Sequence, residues 1–194
     1  MRAIMLGPPG SGKGTQARIL ASRAGATHIS VGALLRAEAA NGSRIGRRVA
    51  ATVTAGDLVA VDDVLAVLAA PLVAATQAGG WILDGVPRTV DQASALDDML
   101  AAIDATRELI VALDVPTDEV AARLRARARV EHRADDTEAV VSHRLAVWAR
   151  EGPPILARYE QQERLTRVDG TGDATTVADR VAAAIQRAHQ ERVS

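Results

Sequence analysis

The sequence predicts an α/β protein, a five-stranded parallel sheet flanked by helices, with a phosphate-binding loop after its first strand. Three observations carry this. Short apolar runs alternate with stretches whose apolar residues recur at helical spacing. The first run, Ile4-Met5-Leu6, enters the glycine-rich segment Gly7-Pro8-Pro9-Gly10-Ser11-Gly12-Lys13-Gly14-Thr15, and Gln16-Ala17-Arg18-Ile19-Leu20 leaves it as a helix. Four runs end in polar or glycine-rich residues, at the strand ends where open parallel sheets gather their ligands.

Strands are expected over Arg2–Leu6, Ala26–Ile29, Trp81–Asp84, Leu109–Asp114 and Thr166–Val168. Between them, Val61, Val64, Leu65, Leu68 and Leu72 repeat at helical spacing, as do Leu96, Leu100 and Ile103, and Val177, Val181 and Ile185. Residues Ser30–Val59 hold two short helical patterns, broken at Asn41-Gly42-Ser43 and Ala55-Gly56-Asp57 with no strand between them, so a small helical flap is expected there. The informative strand ends are Gly7–Thr15, His28-Ile29-Ser30, Asp84-Gly85-Val86-Pro87-Arg88 and Asp169-Gly170-Thr171-Gly172.

Composition narrows the classes. A chain of 194 residues is one domain with room for a sizeable core. A net charge of −1 argues against a nucleic-acid binder. With no cysteine there is no disulfide framework and no thiolate metal site. Met1-Arg2-Ala3-Ile4 runs straight into the first strand, no apolar run approaches a membrane span, and a cytoplasmic protein without a membrane partner is expected. With no Phe, one Tyr and two Trp, the core must rest on Ala, Val, Leu and Ile.

The loop carries the first chemistry. Its glycines let the backbone curl with N–H groups inward, and the following helix adds its positive end. Lys13 would reach the outer phosphates and Thr15 the metal ion, although Gly14 pushes the hydroxyl one place beyond its usual position. Lys13 is the only lysine among 23 basic Lys and Arg residues, an ammonium kept where a compact charge is wanted. Asp84 ends its strand either as a Mg²⁺ carboxylate acting through water or as a turn former. Arg36 and Arg88 read as bidentate phosphate ligands or as solvated surface charges. The basic stretch Val120–Arg144 reads in part as a salt-bridged helix face, which suits Arg125 and Arg129. An arginine run ending in an Ala-Arg-Val-Glu-His-Arg loop and two aspartates suits a segment that closes over phosphates in transfer. No Asn-Lys-x-Asp motif is present, which excludes a GTPase switch.

These residues resemble the adenylate kinase family of nucleoside monophosphate kinases over nearly the whole chain. The family's loop carries Gly-Thr after the lysine, as Gly14-Thr15 does here. The resemblance continues through His28-Ile29-Ser30-x-Gly32 with Leu34-Leu35-Arg36, Ala55-Gly56-Asp57-Leu58-Val59, and Leu83-Asp84-Gly85-x-Pro87-Arg88 with Gln92. It ends in Arg123-Leu124-x-x-Arg127, Arg133-x-Asp135-Asp136, Arg144 and the Asp169–Gly172 loop. It implies a P-loop NTPase-type sheet, a monophosphate-binding flap over residues 30–59, a short lid at about 126–136, and reversible Mg²⁺-dependent transfer from ATP to AMP. Without cysteine, the lid zinc of long-form relatives is not expected. Gly10, Ser11, Gly12, Lys13, Gly14 and Thr15 would hold the ATP phosphates, with Arg123 and Gly172 at the base and Arg127 at the phosphates. The acceptor would meet Ser30, Val31, Arg36, Asp57, Leu58, Val59, Gly85, Val86, Pro87, Arg88 and Gln92. Arg133 and Arg144 would bridge both substrates. Lys13, Arg88, Arg127, Arg133 and Arg144 form the expected catalytic set, Thr15 and Asp84 the metal set. A monomer is expected.

Three positions depart from the family pattern: Val31 stands for a Thr, Ala33 for an Asp, and Val86 for an aromatic. Val31 would lose a hydroxyl for the acceptor and Val86 a flat surface beside its base. Drift towards small aliphatic residues is the plainer reading, and AMP remains the preferred acceptor because the Gln92 amide can pair with adenine. Another monophosphate (CMP, UMP or a dNMP) and a nucleotide-binding regulatory relative with impaired transfer are the alternatives.

Overall fold

The computed structural model describes residues 1–106, 108–131 and 137–191. Along the first strand, β1 (Arg2–Leu6), side chains alternate between two layers. Ile4 and Leu6 join a core on one face of the sheet with Leu83, Leu68, Leu96, Ile155 and Tyr159, while Ala3 and Met5 join one on the other face with Ile82, Leu20, Val177 and Val181. The first layer is covered chiefly by α4 (Val61–Gln77), α5 (Val90–Ala102) and α7 (Glu138–Gln161), the second by α1 (Lys13–Ala24) and α8 (Ala174–Glu191). Each fully buried large aliphatic side chain contributes about 1.5–3 kcal/mol, so a core without phenylalanine is sufficient.

The remaining strands are β2 (Thr27–Ser30), β3 (Trp81–Asp84), β4 (Leu109–Asp114) and β5 (Leu165–Asp169). All pairs are parallel and the order is β2-β3-β1-β4-β5. From β1 the chain runs to one edge, and from β3 it crosses β1 to the other side. A crevice therefore opens at the carboxyl end of β1, where Gly7 begins the loop. The five expected strands are present with small shifts. β2 is shifted one residue along, starting at Thr27 and including Ser30, and β5 is longer at both ends because pairing with β4, from Ile110↔Leu165 to Asp114↔Asp169, carries it past its apolar centre.

The segment expected to form the flap folds as two helices, α2 (Val31–Asn41) and α3 (Arg44–Ala55). Gly42 closes α2 at φ 61°, a left-handed conformation that glycine adopts without strain, and the Ser43 hydroxyl caps α3 by accepting from Gly46 N at 2.9 Å. The helix α6 (Thr117–Glu131) runs further than the sequence suggested. Its Ala128-Arg129-Val130-Glu131 stretch is helical, not a loop, since it contains good helix formers and neither Gly nor Pro. The expected lid thus begins as the end of α6, and Arg133, Asp135 and Asp136 lie outside the described residues.

Opposite the crevice, at the amino ends of β4 and β5, buried Glu108 pairs with Arg164. Arg158 and Arg164 both reach Asp97, at 2.9 and 3.2 Å, which ties the end of α7 to α5 and the sheet. No helix among the described residues is long and apolar enough to cross a membrane.

Candidate active site

The loop between β1 and α1 turns on three glycines with positive φ: Gly7 at 144°, Gly10 at 84° and Gly12 at 89°. At Gly10 packing adds a second constraint, because a Cβ would lie 2.7 Å from Leu124 Cγ and 3.0 Å from the Val120 carbonyl oxygen. The first turn of α1 holds no carboxylate, so its positive end is left for an anion. Lys13 bends back over the loop and donates from Nζ to the Pro8 carbonyl at 3.0 Å. Ser11 is buried, with its N–H on the same carbonyl at 3.1 Å, and Thr15 is half-buried on the first turn.

Asp84 sits beside this loop at the end of β3, 8% exposed. Ser30 is its register partner on β2, and His28 shares that face two residues earlier. His28 Nε2 lies 2.5 Å from Oδ2, and the Ser30 hydroxyl donates to Oδ1 at 3.1 Å. Ser30 stands at the start of α2 but its side chain does not cap that helix. Burial opposes ionisation of Asp84, yet the hydrogen bond and charge interaction with His28, then Lys13 and Ser30, outweigh it and hold the carboxyl below its usual range. A Cβ at Gly14 would be in contact with Oδ2, at 3.4 Å, so glycine there leaves the flank of an ionised carboxylate open to water. With the Thr15 hydroxyl on the same turn, this oxygen-only donor set fits Mg²⁺ held largely through water.

Arg123 joins three pieces of the donor side. Nη1 donates to the Ser11 carbonyl at 3.2 Å, and Nη2 to those of Gly170 and Gly172 at 2.9 and 3.1 Å, with Glu119 one helical turn back at 2.5 Å. The loop after β5 is shaped by Asp169, which accepts from the Thr171 hydroxyl and N–H at 2.7 and 2.9 Å. Those hydrogen bonds keep its carboxyl below the usual range. Gln16 completes the frame, donating to the Ala174 carbonyl at 3.0 Å.

Across the crevice, Val31, Arg36, Asp57, Val59, Gly85, Arg88, Gln92 and Arg144 line one pocket. Gln92 is buried, and its neighbours fix its orientation: Nε2 donates to the Val59 carbonyl at 3.0 Å and Oε1 accepts from Arg88 N–H at 2.8 Å. A central pocket lies between this one and the loop, bordered by Lys13, Val86, Pro87, Arg88, Arg144 and Trp148. Arg88 and Arg144 border both. Val86, buried at 1% exposure, and Pro87 line the central pocket and not the first one. Leu58 and Ser30 do not line the acceptor pocket either, Ser30 being engaged with Asp84. Ala33 is exposed on α2 and belongs to neither wall. Arg127 falls on α6, but its side chain is outside the described ones.

The sequence reading omitted His28 from the site. The period-two spacing of His28 and Ser30 is visible in the sequence, but only the adjacency of β2 and β3 brings both to Asp84. It also missed Trp148, and the pair of His143 with Asp57 at 2.6 Å, which fastens the end of the flap to α7.

The sequence model of the adenylate kinase family matches residues 5–164. The chain is 44% identical to an adenylate kinase of Stenotrophomonas maltophilia (strain R551-3), over 96% of this chain and 100% of the relative. It has the same identity and coverage with one of Xanthomonas euvesicatoria pv. vesicatoria (strain 85-10). It is 41% identical to one of Synechococcus sp. (strain RCC307), over 95% of this chain and 98% of the relative. With the family model matching residues 5–164 and relatives matching end to end, the chain belongs to the adenylate kinase family.

Proposed function

We propose that the protein is an ATP:AMP phosphotransferase, converting ATP and AMP reversibly into two ADP. The observation that carries this is the shared wall of the two pockets. Arg88 and Arg144 border both the phosphate-loop side and the acceptor side, so cations stand where a phosphoryl group would pass between two nucleotides.

In this reading the N–H groups of Gly10–Thr15 and the Lys13 ammonium hold the ATP phosphates. Arg123 and the Gly172 backbone flank the base. Arg36 and Arg88 hold the AMP phosphate, and Arg127, Arg133 and Arg144 gather around the charge shared in the transition state. An AMP phosphate oxygen attacks the γ-phosphorus directly, so no side chain acts as a nucleophile and the rate comes from alignment and charge stabilisation. The Mg²⁺ that accompanies ATP would be held by Thr15 and, through water, by Asp84, and supplies charge neutralisation at the phosphates.

Gln92 favours adenine. Val59 takes one of its two amide N–H donors and Arg88 one of the two lone pairs of Oε1, leaving one donor and one acceptor site on a side chain that lines the acceptor pocket. Held in that orientation, the remaining pair suits the N1 acceptor and N6 amino donor of adenine, the reverse of the N1–H and O6 of guanine. The acceptor pocket is about 40 Å³ here, against ~300–1,000 Å³ for typical ligand pockets, so the flap must swing outward to admit a nucleotide. A cytoplasmic monomer acting on small nucleotides completes the reading.

A coupled assay of ATP·Mg with AMP, CMP, UMP, GMP and dNMPs tests it. AMP should be the best acceptor. A clear pyrimidine preference would change the acceptor, and ATP binding without turnover on any monophosphate would replace the enzyme by a nucleotide sensor.

A further inference from the structure

We propose that Trp148 is the water barrier of the transfer centre, a positioning residue that walls the phosphate site off from a cavity behind it. This rests on the phosphotransfer reading above. The half-buried indole borders the central pocket together with Lys13, Val86 and Arg88. It also borders a second cavity of about 640 Å³, between the carboxyl ends of β4 and β5, the start of α6 and the middle of α7. At ~30 Å³ per water that cavity has room for about twenty molecules. Asp114, Arg167 and Asp169 on its wall give those waters polar partners. Gly7 borders both spaces, so the cavity comes up to the phosphate loop itself, with Trp148 on the same partition.

A missing side chain allows the indole its place. A Cβ at Gly152, one helical turn further along α7, would lie 2.7 Å from Trp148 Cε2, 2.9 Å from Cδ2 and 3.0 Å from Cζ2, so the ring rests on bare backbone there.

The chemistry at stake is a competition between two nucleophiles. In transfer, an AMP phosphate oxygen bonds to the γ-phosphorus as the bond to the bridging oxygen of ADP breaks. In hydrolysis, a water oxygen does so instead, ADP leaves by the same bond cleavage, and the water's protons pass to the orthophosphate and the solvent. Leaving group and cations are common to both, so their ratio reports water access.

The test uses the full chain, with Trp148→Ala, Trp148→Phe and Gly152→Ala beside the wild type. It measures ADP formed from ATP and AMP, orthophosphate released from ATP·Mg without AMP, and thermal unfolding. Trp148→Ala should raise the ratio of hydrolysis to transfer by about tenfold or more, and Trp148→Phe, which keeps a ring, by less than about threefold. Gly152→Ala, whose Cβ would displace the ring, should raise it by about threefold or more. A folded Trp148→Ala protein with an unchanged ratio overturns the proposal. If that variant does not fold, an unchanged ratio in Gly152→Ala does so. A wild type that makes no ADP from ATP and AMP would overturn the phosphotransfer reading instead, whatever Trp148 does.

Discussion

The two halves of the crevice are built on different plans. The proposed donor half is one stretch of nine consecutive residues, Gly7–Thr15, the loop and the first turn of α1, shaped by Gly7, Gly10 and Gly12 and braced by Arg123 and Gln16. The ligands proposed for it are mostly backbone N–H groups, fixed once the loop is fixed. The proposed acceptor half is assembled from α2, the turn after α3, the turn after β3, α5 and α7. One half is preorganised by local geometry and the other by tertiary arrangement. Two of the three departures from the family pattern, Val31 and Ala33, fall on the flap, where a small change shifts affinity or local stability without dismantling the phosphate site. The third, Val86, stands between the halves.

The contrast can be broken most sharply from the donor side. Lys13→Met should lower kcat by about 10²–10³ while leaving thermal unfolding nearly unchanged, since the side chain contributes charge to a loop held by glycines and Arg123. Near-normal turnover would remove Lys13 from the mechanism. Next is Asp84→Asn, which should raise the half-saturating Mg²⁺ concentration about tenfold, read by titrating the metal against nucleotide affinity as well as rate. The same variant tests the pH sign. The folded-state pKa of Asp84 is depressed, so its ionised form stabilises the fold fully above the unfolded value of about 4, and that contribution is lost as pH falls through the lower folded value. Acid unfolding of the wild type should therefore be steeper below about pH 4 than that of Asp84→Asn.

On the acceptor side the effects should be smaller. Val31 is buried at the pocket wall, and Val31→Thr keeps its shape while adding a hydroxyl. One new hydrogen bond is worth about 1 kcal/mol, so the KM for AMP should fall about fivefold with kcat little changed. An unchanged KM would mean that no acceptor atom comes within reach of residue 31. The smallest effect belongs to Ala33→Asp. Residue 33 is exposed in the first turn of α2, which holds no carboxylate, so the aspartate should stabilise the protein by about 0.5–1 kcal/mol in denaturant unfolding and barely move kcat. A large loss of activity would bring residue 33 into the site after all.

What could be read from the sequence follows the same division. The donor loop was legible because its roles occupy neighbouring residues and its glycines mark the turn. Most of the strands were legible as short apolar runs, and their ends shifted by a residue at β2 and where pairing extended β5. The support of Asp84 was not, because nothing in the spacing of His28 and Ser30 says that β2 lies beside β3. Nor was the place of Trp148 beside Lys13 and Arg88 on the wall of the central pocket, which only the packing of α7 defines. The flap helices were visible from their glycine breaks, whereas the length of α6 was not, since the basic, polar stretch Ala128–Glu131 looks as much like a loop as a helix.

Gly56 carries a last consequence. A Cβ there would lie 2.8 Å from both Arg144 Cγ and Val140 Cγ1, so the end of the flap rests directly on the stem of an arginine that borders both pockets. An outward swing of α2 and α3 would have to slide across that stem. Flap and arginine would then be coupled, and a nucleotide that repositioned Arg144 would alter the work of opening by the same free energy that opening withholds from that nucleotide. Substitutions at Gly56 and Arg144 should be non-additive in a double-mutant cycle on AMP affinity, with the size of the coupling energy measuring that link.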